Sequence, residues 1–347
     1  MKLKTVGAMF GAAALAVSMS ACSTTSGAQT RDAAGDAAAK PTIYASTDVW
    51  ASVAKAVVGQ KAEVITSIDQ SNLDPHSYEA SVQDKKLVNQ ASVVIVNGGG
   101  YDDWALQLAK SADRKPTVLN AVELAGIDCG EEAHEHEHEH EHEGEEAHEH
   151  EHEHEGEEAH VHEHEGHHHH HHHHCSVNEH VFYDLHAVGE VAKAVAKTMS
   201  QADGDNAAAY QEGAKAFQDQ LETLEAQAET IKARGHKHSL ATEPLANYLL
   251  EDAGIHDLTP EEYVEQSETE SGPSVKTQAD TKSLITEGKV DVLLVNSQTE
   301  DPVSKSLQEA AEAKGIPVVT LSETLAGASD YVSWIGAALD QLDKALQ

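Results

Sequence analysis

Apolar residues along this chain alternate between short unbroken runs and longer stretches with helical spacing. In the first half, residues 42–45, 63–66, 92–96 and 117–119 are short runs rich in Val, Ile and Thr and read as buried strands. Residues 49–58 and 82–89 lie between them and carry apolar positions at helical intervals. Strands that alternate with helices predict parallel βαβ units. From about residue 187 to residue 234 the pattern becomes helical throughout, interrupted at Ala202-Asp203-Gly204-Asp205-Asn206. Asp205 is placed to cap a helix running through Tyr210, Phe217, Leu221, Leu224 and Ile231 to Gly235, roughly 45 Å long at ~1.5 Å per residue. Strand patterns then return at 239–242, 290–295 and 318–321. The expected architecture is α/β: one lobe over 41–204, a long bridging helix over 205–235, and a second lobe over 236–347. Each lobe should be a small, mostly parallel sheet flanked by helices.

One segment breaks this order. Between Cys129 and Cys175 the chain runs through Glu131-Glu132-Ala133-His134 and alternating Glu and His, with near-repeats opening at Glu145-Glu146 and Glu157-Glu158. It ends in eight consecutive histidines, His167 to His174. Residues 130–174 offer no apolar face, so they are expected to form a disordered loop instead of core. Twenty of the 26 histidines lie there, and neutral imidazole favours zinc, copper and nickel over manganese. A solvated acidic spacer is the plainer reading of the same segment. An expression tag is disfavoured, because this histidine run is internal and continuous with the Glu-His repeats.

Charge narrows the choice of partner. The formal net charge of -37 and the lack of a basic stripe argue against nucleic acid. At the start, Met1-Lys2-Leu3-Lys4 and the apolar stretch from Val6 to Val17 have the basic and hydrophobic regions of an export signal, too short to span a membrane stably. Met19-Ser20-Ala21-Cys22 resembles the bacterial lipobox, which implies a signal peptide over 1–22 and lipidation of Cys22. Residues 23–40, rich in Ser, Thr, Gly, Ala and Asp, would be a flexible tether to a membrane-anchored lipid. In an oxidising compartment Cys129 and Cys175 are expected to pair across the His/Glu segment. Such a loop closure contributes about 4 kcal/mol in the chain-entropy model. The alternative is that one or both thiols join metal binding.

Ligands of open α/β sheets bind beyond the carboxyl ends of the strands. Four candidates stand there or close by: His76 after the second strand, His180 beyond Cys175, Glu243 after strand 239–242, and Glu323 after strand 318–321. Two imidazoles and two carboxylates suit tetrahedral zinc, whereas bidentate carboxylates would suit manganese or iron(II). Asp74 and Asp184 are candidates to orient the imidazoles, although an Asp before Pro75 also suits a turn.

Asp74-Pro75-His76-Ser77-Tyr78-Glu79 and Asn178-Glu179-His180-Val181-Phe182-Tyr183-Asp184 resemble the two histidine motifs of the zinc and manganese solute-binding proteins of ABC importers. The resemblance runs from Thr42 to Leu346 and includes the long helix and the histidine-rich insertion. It implies two Rossmann-like lobes with the metal between them, His76 and His180 from the first and Glu243 and Glu323 from the second. Zinc-type members commonly carry a histidine where Glu243 stands, manganese-type members a carboxylate there, and the last ligand is usually Asp rather than Glu. The resemblance therefore implies an extracytoplasmic receptor, a monomer, that captures Zn2+, with Mn2+ or iron(II) as the alternative. Its partners would be an ABC permease and its ATPase. A surface adhesin or passive metal buffer is a second class. A metallohydrolase is disfavoured, because none of the expected helices carries His-Glu-x-x-His and no spare base stands near the ligands.

Overall fold

The computed structural model describes residues 40–69, 75–127, 178–267 and 272–347. The signal segment, Cys22, the tether before Lys40, Asp74, Cys129, Cys175 and the His/Glu segment 130–174 lie outside the described residues.

Two four-stranded parallel sheets form the frame. The first consists of β1 (Thr42–Thr47), β2 (Glu63–Ile68), β3 (Val93–Val96) and β4 (Thr117–Asn120), in the order β2-β1-β3-β4. The second consists of β5 (Lys237–Ala241), β6 (Ile255–Asp257), β7 (Val292–Asn296) and β8 (Val318–Leu321), in the order β6-β5-β7-β8. The two sheets therefore share one topology. Central strands β3 and β7 are buried along their whole length, as expected of parallel strands covered on both faces.

The first lobe carries helices α1 (Asp48–Val58), α2 (Val82–Gln90), α3 (Asp103–Ser111) and α4 (Ala121–Leu124). Helices α5 (Leu185–Ala202) and α6 (Ala207–Lys232) follow, then α7 (Asn247–Asp252), α8 (Glu261–Ser267), α9 (Val275–Thr286), α10 (Pro302–Lys314) and α11 (Tyr331–Ala345). The main core is continuous between the lobes, joining Ile43, Val93 and Ile95 of the first sheet to Leu294, Val319 and Leu321 of the second through α1, α5, α6 and α11. Smaller clusters lie under α2 and α3 in the first lobe and under α8 to α10 in the second.

The bridging helix is shorter than its expected span. Asp205 sits in a 3-10 turn over Gly204–Asn206, and α6 begins after Asn206. Its 26 residues give about 39 Å. Asp203 holds the turn, accepting hydrogen bonds from Asn206 Nδ2 (2.8 Å) and the Tyr210 hydroxyl (2.7 Å). Strand β6 is an addition to the expected elements, being only three residues long.

Candidate metal centre

The loop that carries His76 is fixed by Asp84, the capping-box residue of α2. Asp84 accepts from Ser81 N (2.6 Å), from the Tyr78 hydroxyl (3.0 Å) and from Ser67 Oγ. Tyr78 packs on Trp104 with ring centroids 4.7 Å apart. The His76 side chain is 37% exposed, so the site opens to solvent on this side.

His180 stands before the 3-10 turn Val181–Tyr183 and is 3% exposed. Its ring contacts Phe182 edge-on at 5.6 Å between centroids and lies 5.7 Å from the His76 ring. Asn178 Nδ2 donates to the Pro244 carbonyl, which orients the amide so that Oδ1 faces His180. That oxygen accepts from His180 N (3.0 Å) and lies 2.7 Å from Nδ1. An amide oxygen can only accept, so Nδ1 carries the proton and Nε2 carries a lone pair. Nε2 is buried and has no hydrogen-bond partner. Burial pushes the ring's pKa down to about 4, with the Glu323 charge opposing and His76 adding to the fall, so His180 is neutral at neutral pH.

Glu323 follows β8 and is 1% exposed. Contacts on both sides pin its backbone. Ser322 O accepts from the Tyr183 hydroxyl (2.8 Å), Ser322 Oγ accepts from Trp334 Nε1 (3.1 Å), and Leu325 N donates to Asp48 (3.2 Å). Gln298 Oε1 accepts from Glu323 N. Tyr183 and Asp48 belong to the first lobe, so the loop bearing Glu323 is held from across the cleft. Burial works to raise the Glu323 carboxyl. The hydrogen bond from His76, the neighbouring imidazoles and the Asn296 amide outweigh it and hold the group well below the usual carboxylate range.

His76, His180 and Glu323 each present one ligand atom, and these atoms lie within 4.8 Å of one another. His76 Nε2 is 3.3 Å from Glu323 Oε2, close to the ~3.4 Å that separates two donors on a tetrahedral zinc. His180 Nε2 is buried without a protein hydrogen bond, and Glu323 Oε2 is buried with only the His76 ring beside it, an arrangement that is costly unless a ligand takes the free acceptor.

Glu243, the fourth expected residue, is not in this group of three. It is one amide away: Asn296 Nδ2 donates to Glu243 Oε2 (2.6 Å) and to Glu323 Oε1 (2.6 Å). Burial raises the Glu243 carboxyl to about 7, the Glu323 charge adds to this, and bonds from Thr299 and Asn296 work against it. A cavity of about 340 Å³, lined by Thr242, Glu243, Tyr263, Gln278, Thr299 and Asp301, adjoins it.

One supporting assignment differs from expectation. Asp184 caps α5 through Ala187 N (3.0 Å) and does not orient an imidazole. Asn178 orients His180 instead, and Glu179 Oε1 stands 3.5 Å from His76 Nδ1. Asn178 and Glu179 lie inside the second histidine motif, but nothing in the motif's spacing marks them as orienting groups. Asn296 carried no signal beyond its place at the end of a strand.

A two-lobed α/β frame with two imidazoles and a carboxylate converging between its sheets presents a candidate site for a divalent metal ion. The chain belongs to the family described as zinc-uptake complex component A, periplasmic, whose model matches residues 43–345. It is similar to the metal ABC transporter substrate-binding lipoprotein SloC of Streptococcus mutans, 35% identical over 80 residues. That match spans 22% of this chain and 26% of the lipoprotein, about a quarter of its length. Among solved structures, the periplasmic zinc-binding protein TroA of Treponema pallidum superposes with a TM-score of 0.65, at 15% identity, covering 88% of this chain and 99% of that one. The solute-binding protein FpvC of Pseudomonas aeruginosa, solved with Mn2+, gives 0.64 at 20% identity, covering 89% and 98%. At these identities the two structures support the fold. No helix among the described residues is long and apolar enough to cross a membrane.

Proposed function

We propose that the chain is an extracytoplasmic receptor that captures Zn2+ between its lobes and hands it to an ABC permease and its ATPase. The observation that carries this reading is the convergence of two buried acceptors, His180 Nε2 with no protein hydrogen bond and Glu323 Oε2 with only His76 Nε2 beside it at 3.3 Å. His76, His180 and Glu323 would bind directly, and Glu243 would supply the fourth donor by a small swing about its side chain. The donor set supports zinc: neutral imidazole is a good zinc ligand and a poorer one for manganese. SloC and TroA, named as metal-transport and zinc-binding proteins, support the same class.

The histidines of 130–174 would gather metal at lower affinity near the cleft, and a Cys129–Cys175 disulfide would join the ends of that segment. Lipidation of Cys22 would keep the receptor beside its permease. Elemental analysis of protein purified without added metal or affinity resin, followed by competition among zinc, manganese and iron(II), tests the cargo. Zinc should win at a single tight site. Deleting 133–174 should lower total stoichiometry and leave that site intact; loss of the tight site on deletion would move the binding function to the deleted segment.

A further inference from the structure

Asn296 ends β7, the strand that lies between β5 and β8 in the second sheet. Glu243 follows β5 and Glu323 follows β8, so the amide sits between the two carboxylates by topology. It is 2% exposed, and both of its polar atoms are engaged. Oδ1 accepts from Gln298 N (3.0 Å), which fixes Nδ2 toward the glutamates. Its two N–H groups then go to Glu243 Oε2 and Glu323 Oε1, each at 2.6 Å.

The fold does not demand this use of the position. Asn97 directly follows β3, the matching strand of the first sheet, and it donates to the carbonyls of Gly98 (3.1 Å) and Glu179 (2.8 Å) while accepting from Trp50 Nε1 (3.2 Å). The N–H groups of that amide serve backbone. Asn296 serves two carboxylates, and both belong to the proposed ligand set.

We propose that Asn296 is a specificity-determining residue that sets the coordination number of the captured ion, by keeping one oxygen of Glu243 and one of Glu323 out of the coordination sphere. Each glutamate then binds through its other oxygen alone. For Glu323 that oxygen is Oε2, the one already facing His76. Two imidazoles and two monodentate carboxylates make a four-coordinate site, which suits zinc. Manganese and iron(II) gain from additional oxygen donors, and here a bidentate carboxylate would have to break a charge-assisted N–H···O bond. The neutral amide also separates two like charges without adding a cation that would compete with the metal.

This inference rests on the proposed cleft site, and its test separates the two. X-ray absorption on the zinc-loaded protein carrying Asn296, with residues 133–174 deleted so that only the tight site is occupied, reads the coordination number directly. Four nitrogen and oxygen donors are expected. Five or six would overturn the role of Asn296 and leave the cleft site standing. Asn296→Ala frees both carboxylates, and the zinc-to-manganese affinity ratio should fall by roughly tenfold or more, with additional donors around bound manganese. Asn296→Ser, which retains one donor, should fall between. An unchanged ratio and unchanged coordination in a folded Asn296→Ala protein would overturn the inference. Tight binding that survives in His76→Ala and His180→Ala would instead overturn the cleft site itself.

Discussion

Replacing Asn178 with alanine removes the acceptor that decides which nitrogen of His180 carries the proton. In the folded protein Oδ1 takes the Nδ1 proton at 2.7 Å and leaves the buried Nε2 with a lone pair. Without that acceptor the ring can protonate at Nε2 and turn, and either change removes the donor. Loss of an outer contact of this kind lowers metal affinity by about 10- to 100-fold, or about 1.4 to 2.7 kcal/mol. The same substitution deletes the Asn178 Nδ2 bond to the Pro244 carbonyl across the cleft, so unfolding of the metal-free protein should also become easier by about 1 kcal/mol. Asn178→Asp distinguishes the two effects. Its carboxylate can still accept from Nδ1 but cannot donate to Pro244, so affinity should remain near wild type while stability falls. The assay is competition for zinc against a fluorescent chelator, alongside urea unfolding of the apo protein. Wild-type affinity in Asn178→Ala, or equal losses in both variants, would refute the tautomer argument.

Three further outcomes follow from the same geometry. Glu243 titrates near 7 when folded and near 4.5 when unfolded, so its contribution to stability is fully present below about pH 4.5 and is lost as pH rises through 7. Glu243→Gln should therefore stabilise the apo protein by up to about 3 kcal/mol at pH 8 and by almost nothing at pH 4, as read by urea unfolding at both pH values. His180 has the opposite sign: its folded value of about 4 lies below the ordinary 6.5, so its contribution is present above pH 6.5 and lost as pH falls toward 4. A folded His180→Phe variant should show a flatter acid-side stability profile than wild type. Tyr183→Phe leaves the Ser322 carbonyl without its 2.8 Å donor and should cost about 1 to 3 kcal/mol in apo stability, with weaker zinc binding because the Glu323 loop loosens.

Most of the frame was legible from hydrophobic runs, because parallel strands buried on both faces leave unbroken apolar stretches such as residues 93–96 and 292–295. Strand β6 was not legible: three residues, one of them an exposed His256, carry no periodicity. The start of α6 was misplaced by two residues, because Asp203 holds a 3-10 turn where a simple cap at Asp205 was expected. His76, His180 and Glu323, which the fold brings together, were singled out by their positions near strand ends and by the two histidine motifs. Asn178 and Asn296 were not. Their importance comes from which way an amide faces, and that is set by bonds to Pro244 and Gln298, which are distant or unremarkable in the linear chain. Glu243 was expected as a fourth ligand from its strand position, which could not show that its carboxylate is tied to Asn296.

The most direct test is a crystal of the zinc-loaded protein measured on both sides of the zinc absorption edge. A single strong anomalous peak between the lobes should lie about 2.0 to 2.2 Å from His76 Nε2, His180 Nε2, Glu323 Oε2 and one oxygen of Glu243. A well-occupied peak elsewhere, with these four side chains unliganded, would contradict the account.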